Sequence, residues 1–388
     1  MKTVNWVLLT LLVAGLFVYA RTKPLHDFTE YWAASQQLVG GRNPYSFSES
    51  LPIERAVGWS GQPLVAMYPP WTLPLIAPVG FIKSYAIAWT VWVCSLTFVL
   101  WWSTKVLLGI YAGGQRLFPA ETAQSEAMLA FTFFPSLFCM AFAQIAPLVL
   151  LGITGFLYFV MRNRYVPAGA CLAFVAIKPH LLYLLWPALL LWCWRKRNWW
   201  AVISLVCAVT GLLGVALIIR PSLLSDYWRY CQSGYMRDFP SAFGAVLRYT
   251  FESGSVASFP LQFVAPVIGM VWFVFYWRKH ASDWDWKKHM PMLIAASVLT
   301  AAYGWTFDQV VLLAPLVAIV ARYVGEKGKL PGWIVAAYTV LNLAVFVLAF
   351  RGPAAPYVLA PLCMVLVLWR PVHGEAPVKT AGQLKDIA

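Results

Sequence analysis

Residues 162–197 read RNRYVPAGACLAFVAIKPHLLYLLWPALLLWCWRKR: two basic clusters enclose an apolar run that is interrupted at Lys178-Pro179-His180. Lys and Arg collect on the cytoplasmic side of membrane proteins. With both clusters inside, the chain between them must leave the cytoplasm and return. Residues 165–194 are therefore expected to form a hairpin of two short helices with Lys178 at its outer apex. Pro179 has no backbone donor and is expected to end the first arm. The whole chain suits this setting. It has 388 residues, 61% hydrophobic and 11% charged, whereas soluble domains carry about 25% charged residues. The runs at 4–20 and 333–350 approach the length of a bilayer crossing. The first run lacks a clean small-residue cleavage site before Arg21 and is expected to be an uncleaved anchor. The expected fold class is all-α, a polytopic transmembrane helical bundle.

Charge extends the topology outward from the hairpin. Further basic clusters at 278–289 and 322–329 belong inside. Working back, 146–161 runs inward, 126–142 outward and 85–104 inward, with 105–125 cytoplasmic. That leaves 21–83 as one large outside loop and 221–257 as a second. The apolar piece 71–82 then lies on or dips into the membrane, because a full crossing there would break the parity. Spans near 200–219, 258–277, 290–304, 310–323, 332–350 and 355–369 bring the total to about twelve. Residues 1–370 form one integral-membrane domain with both termini cytoplasmic, and 371–388 a polar, disordered cytoplasmic tail. The net charge of +14 is assigned to cytoplasmic Lys and Arg, and no nucleic-acid partner is expected. Seven cysteines show no disulfide pattern. No metal-ligand spacing, Walker loop or Ser/His/Asp set occurs, so neither metal nor cofactor is expected.

The first outside loop opens with His26-Asp27-Phe28-Thr29-Glu30-Tyr31-Trp32. Apolar residues at 28, 31, 32, 38 and 39 have helical spacing. Gly40-Gly41 stops that helix and Asn43-Pro44 makes a turn. Residues 28–39 are thus expected to be an amphipathic helix at the membrane surface, with Tyr31 and Trp32 at the interface. A second short helix is expected after Tyr68-Pro69-Pro70. Asp27 at the N-cap and Glu30 three residues on resemble a capping box. The same Asp27 carboxylate, aimed by a rigid helix, suits a general base taking a proton from a sugar hydroxyl. The two roles are compatible.

The other outside positions each carry two uses. Lys178 pairs with a phosphate at headgroup level, or snorkels from a helix end. His180 is a second phosphate donor, or a polar residue satisfied by its neighbours. Gln144 bonds a sugar, or bridges two helices. Asp308 binds a substrate hydroxyl, pairs with an outside Arg, or caps a helix. In the second loop, Arg229, Arg237 and Arg248 among aromatics clamp phosphate, or rest on headgroups.

Three ordered stretches, DFTEYWAASQQLVGGRNPY, YPPWTLPLIAPVGF and FAQIAPLVLLGITGFLYFVMRNRYVPAGACLAFVAIKP, resemble glycosyltransferase family 87 across residues 27–179. That family belongs to the GT-C superfamily, typified by polyprenyl-phosphate-mannose-dependent mannosyltransferases. One departure is visible: where the family has Gly-Gln-x-Asn, this chain has Ala143-Gln144-Ile145-Ala146. The resemblance implies a GT-C-type bundle with short juxtamembrane helices in the first outside loop. It also implies Asp27 as the base and Lys178 as the partner of the lipid phosphate. Glu30, Tyr31, Arg42, Asn43, Tyr68, Gln144, His180, Arg237, Arg248 and Asp308 are the candidate donor and acceptor contacts. The implied activity is inverting transfer of a sugar, mannose, from a polyprenyl-phosphate donor to a lipid or glycan acceptor. It would take place on the outer face of the cytoplasmic membrane, among membrane lipids. The competing function is a transporter or flippase of lipid-linked saccharides, which would place polar groups along its spans. A non-catalytic scaffold is the third.

Overall fold

The structure, a computed structural model, describes residues 26–113, 129–233, 242–244, 248, 256–327, 330–349 and 355–369. The first apolar run, the start of the 126–142 segment, about half of the expected second outside loop and the C-terminal tail lie outside the described residues. What is described is all helical, with no strand. In chain order the helices are α1 (His26–Val39), α2 (Phe47–Ala56), α3 (Leu73–Gly80), α4 (Tyr85–Ala112), α5 (Phe134–Ala141), α6 (Ala146–Val160), α7 (Tyr165–Val175), α8 (Leu185–Lys196), α9 (Trp200–Ile219), α10 (Leu223–Gln232), α11 (Val264–His280), α12 (Trp286–Thr300), α13 (Leu313–Lys327), α14 (Gly332–Ala349) and α15 (Ala355–Trp369). Short 3-10 segments, Pro70–Thr72, Val256–Phe263 and Thr306–Leu312, lead into α3, α11 and α13.

Among the described residues four helices are long and apolar enough to cross a membrane: Tyr85–Ala112, Trp200–Ile219, Pro260–His280 and Thr306–Gly325, with shorter apolar helices at Ala146–Val160, Tyr165–Val175, Gly332–Leu348 and Tyr357–Trp369. Several of the expected spans are shorter pieces. The segment 126–142 breaks at Phe133, where Pro135 enters the first turn of α5 and leaves it eight residues long. The hairpin holds: α7 and α8 have 11 and 12 residues and meet through the Tyr165 and Trp192 rings. Its first arm ends at Val175, a turn earlier than Pro179 requires.

Burial separates two kinds of apolar helix. α9 turns Ile203, Val206, Val215 and Ile218 outward. α13 hides Val317, Ile319 and Val320 in the core. Contiguous exposed apolar surface of the first kind calls for a hydrocarbon surround. Close backbone approach sets the packing of the hairpin. A Cβ on Gly169 of α7 would collide with the Ala201 backbone of α9, the small-residue contact that lets membrane helices pack tightly.

The segment expected as the first outside loop is built differently from its expected form. α1 is not laid on a surface: Phe28, Tyr31, Trp32 and Leu38 are buried, and so are Thr29, Glu30, Ser35 and Gln37 on its other sides. The apolar stripe meets α3 and α4, while the polar side meets α2, where Gln37 Nε2 donates to Ser50 Oγ at 3.0 Å. Trp32 is therefore no interfacial anchor; its Nε1 donates to the Ile82 carbonyl at 3.2 Å. α3 packs on α1. Gly80 lies against Ser35, whose Oγ donates to the Ile76 carbonyl at 3.0 Å. Gly41, at φ 67°, ends α1 where expected. The second loop docks on the first: Arg220 Nη1 donates to the Gly41 carbonyl at 3.0 Å, and Tyr230 of α10 stacks on Tyr45.

Candidate active site

Asp27, Glu30 and Tyr31 fall one helical turn apart in the first two turns of α1, on one face. The helix starts at His26, so Asp27 lies in its first turn and not at the N-cap. The two carboxylates reach remote segments. Asp27 Oδ2 accepts from Gln144 Nε2 at 2.7 Å, and Glu30 Oε1 accepts from the Met67 backbone N–H at 3.4 Å. An Asp27–Glu30 capping box is therefore replaced by long-range contacts.

Gln144 is the hub. It sits in the turn between α5 and α6, where Ala143 takes left-handed backbone, φ 53°. Trp92 Nε1 holds that turn by donating to the Ala143 carbonyl at 2.8 Å. Gln144 Oε1 accepts from Tyr31 Oη at 2.8 Å, Tyr68 Oη at 3.2 Å and Lys178 Nζ at 3.4 Å. Tyr31 and Tyr68 hydroxyls are also 2.6 Å apart. Gln144 thus does bridge helices, and it does so between a carboxylate and an ammonium.

Lys178 occupies the turn between α7 and α8, tied to the first loop by Trp71 Nε1 donating to the Ala176 carbonyl at 2.9 Å. Its Nζ donates to Asp308 Oδ1 at 2.5 Å. Three rings surround the ammonium, Phe307 at 5.3 Å, Tyr68 at 5.4 Å and Trp305 at 6.0 Å, within cation–π range. Asp308 pairs with Lys178, not with an outside Arg. Its second oxygen, Oδ2, accepts from the Trp305 N–H at 3.1 Å, so it also caps its own 3-10 turn.

Each member of this network is less than a tenth exposed, with Asp308 at 0% and Lys178 at 4%. Asp308 bonds the Lys178 ammonium, and Glu30 feels its charge. Burial, and then the charge of Asp27, holds the Glu30 carboxyl well above the usual carboxylate range. Burial alone would lower the pKa of Lys178, but Asp308 and Tyr68 more than offset it and leave the ammonium firmly charged. Asp27 is bonded to the Gln144 amide, whose Oε1 in turn accepts from Lys178.

The remaining candidates fall elsewhere. Arg42 is exposed. Asn43 Oδ1 accepts from the Tyr45 N–H at 2.9 Å and serves the turn. His180 stands against Tyr303, with ring centroids 5.9 Å apart, and burial and then the Lys178 charge lower its pKa to about 4, so it is a neutral imidazole. Arg248 is buried, Arg229 is exposed on α10, and Arg237 lies outside the described residues. Sequence reasoning missed Trp305 and Phe307 as walls of the Lys178 site, although both flank Asp308 in GWTFDQ. It also missed Glu54, fully buried, whose two oxygens accept from the Leu64 N–H at 3.0 and 3.1 Å and fix the loop ahead of Tyr68.

A model of glycosyltransferase family 87 matches residues 66–305, well over half of the chain. It starts later than the motif run at 27–179 and reaches further toward the C-terminus, covering Tyr68, Gln144 and Lys178. The fold adds Asp27, Glu30, Tyr31 and Asp308 to these from outside the matched range. No curated protein matches the chain, and no solved structure does. The chain belongs to glycosyltransferase family 87, and is a membrane glycosyltransferase whose buried polar network gathers residues from five separate segments.

Proposed function

We propose that this protein transfers mannose from a polyprenyl-phosphate donor to a hydroxyl of a lipid or glycan acceptor, with inversion, at the outer face of the cytoplasmic membrane. The observation that carries this is the Gln144 amide, which donates to Asp27 and accepts from Lys178. It joins a carboxylate and an ammonium in one network, the two groups that such a transfer needs. Asp27 takes the proton of the acceptor hydroxyl. The acceptor oxygen bonds to the anomeric carbon as the bond to phosphate breaks. Polyprenyl phosphate leaves with the electron pair, and Lys178 stabilises its charge. Asp308 keeps Lys178 charged and aimed. Glu30, whose carboxyl burial holds well above the usual carboxylate range, holds an acceptor hydroxyl. Arg237 or Arg248 supplies a second cation to the phosphate.

The test is transfer of radiolabelled sugar from polyprenyl-phosphate-mannose to membrane lipid extract by purified wild type and Asp27→Asn in nanodiscs, with folding checked for both. Wild-type transfer that falls by a factor of about 100 or more in the variant is the expected outcome, the scale of general acid–base catalysis. Equal transfer by both would remove Asp27 as the base and point to Glu30 or Asp308. Transfer by neither, while other lipid-phosphate sugars are accepted, would overturn mannose; failure of every donor would favour a transporter.

A further inference from the structure

A second group of ligating side chains lies where α11 joins α12. His280 closes α11, Asp283 lies in the connection and His289 is in the first turns of α12. One ligand atom from each lies within 4.8 Å of the others. His289 is 1% exposed, and its Nε2 is enclosed with no hydrogen-bond partner, while Nδ1 is 2.8 Å from Tyr276 Oη. A buried nitrogen left without a partner is costly. The ring has little freedom to find one: Trp284 stacks on it with centroids 4.6 Å apart, and the His280 ring is 4.9 Å away.

We propose that His280, Asp283 and His289 bind a divalent transition-metal ion of the zinc class. His289 Nε2 gives its lone pair to the metal while Nδ1–H donates to Tyr276 Oη, the outer contact that fixes a ligating tautomer. His280 is half-buried and Asp283 exposed, so both are free to close to the bond lengths of about 2 Å that zinc requires. Asp283 gives up only a pair with Lys288 at 3.8 Å, both side chains more than half exposed. Two imidazoles and one carboxylate leave a fourth position for water.

The surroundings select the class of ion. Arg278, Lys279, Lys287 and Lys288 flank the site in sequence, against Asp283 and Asp285. That field opposes a hard cation held by charge through oxygen ligands, such as magnesium or calcium. Imidazole bonds favour zinc, cobalt, nickel or copper instead. The place in the fold sets the role. The 15 residues of α12 span roughly 22 Å at 1.5 Å per residue, and Asp308 follows their far end. The ion therefore touches none of the reacting groups; it staples the end of α11 to the start of α12.

The test uses the full chain without a polyhistidine tag, in detergent, stripped with EDTA and then dialysed against zinc. Expected are one zinc per chain by mass spectrometry and a melting temperature raised by several degrees. A cobalt(II) derivative should show d–d bands without a thiolate charge-transfer band. His280→Gln and Asp283→Asn, at accessible positions, should each keep the metal-free melting temperature and bind zinc at least tenfold more weakly. Zinc absent from the stripped and dialysed wild type would overturn the proposal, as would unchanged affinity in both variants. A thiolate band would also overturn it by assigning the ion to one of the seven cysteines. An equal stabilisation by magnesium would overturn the class of ion.

Discussion

Glu30 carries the pH dependence of the site. Its carboxyl titrates above its unfolded value, chiefly through burial and then through Asp27. The folded state therefore holds a proton that the unfolded chain releases. Stability from this group is complete below the ordinary carboxyl range and is lost as pH rises toward the raised folded value. Glu30→Gln keeps an oxygen for the Met67 N–H and should raise the melting temperature, more at pH 8 than at pH 5; a variant that melts below wild type at both would refute the assignment. The Lys178–Asp308 pair behaves differently. Removing one partner strands a buried charge, at a cost of about 3–5 kcal/mol. Asp308→Leu should be destabilised by that order in chemical unfolding, whereas Lys178→Met with Asp308→Leu should recover much of the loss and remain inactive. Much of this was legible in the chain, since Asp27, Gln144, Lys178 and Asp308 each stand out as polar residues among apolar ones. Which of them meet was not, because sequence spacing says nothing about contacts between residues as far apart as Lys178 and Asp308.

At the scale of the element, the turn before α6 and the α7–α9 contact are the sensitive places. Ala143 takes a backbone conformation that costs an L-residue about 1–2 kcal/mol and costs glycine almost nothing. Ala143→Gly should therefore raise stability by about 1 kcal/mol and leave Gln144 in place, with transfer unchanged. The reverse holds at Gly169, whose missing side chain lets α7 meet the Ala201 backbone. Gly169→Val should exceed the ~1–3 kcal/mol typical of overpacking, read as loss of the folded fraction in detergent. Helix existence was readable from apolar runs, with α9 and α15 matching 200–219 and 355–369 residue for residue. Helix continuity was not, because hydropathy does not register the break at Phe133 or the 3-10 turns ahead of α11 and α13. The surface setting of α1 failed for a related reason. Its polar residues pair with protein groups rather than water, and an amphipathic pattern cannot tell the two apart.

For the whole molecule, the orientation expected from charge is open to direct measurement. In a cysteine-free background, Ser48→Cys in the first loop should react with an impermeant maleimide from outside intact cells, and Lys196→Cys only after permeabilisation; the opposite pattern would invert the assignment. Both positions are exposed. The ion pair at the centre of the network has a further consequence, in time. Lys178 precedes its partner, Asp308, by 130 positions in the chain. Throughout that interval of synthesis the hairpin turn carries an ammonium without the carboxylate that bonds it, and two of the rings beside it, Trp305 and Phe307, are not yet made. A ribosome must have delivered about four fifths of the chain before the centre can close, so an unfinished protein carries most of the parts of the network without its central ion pair.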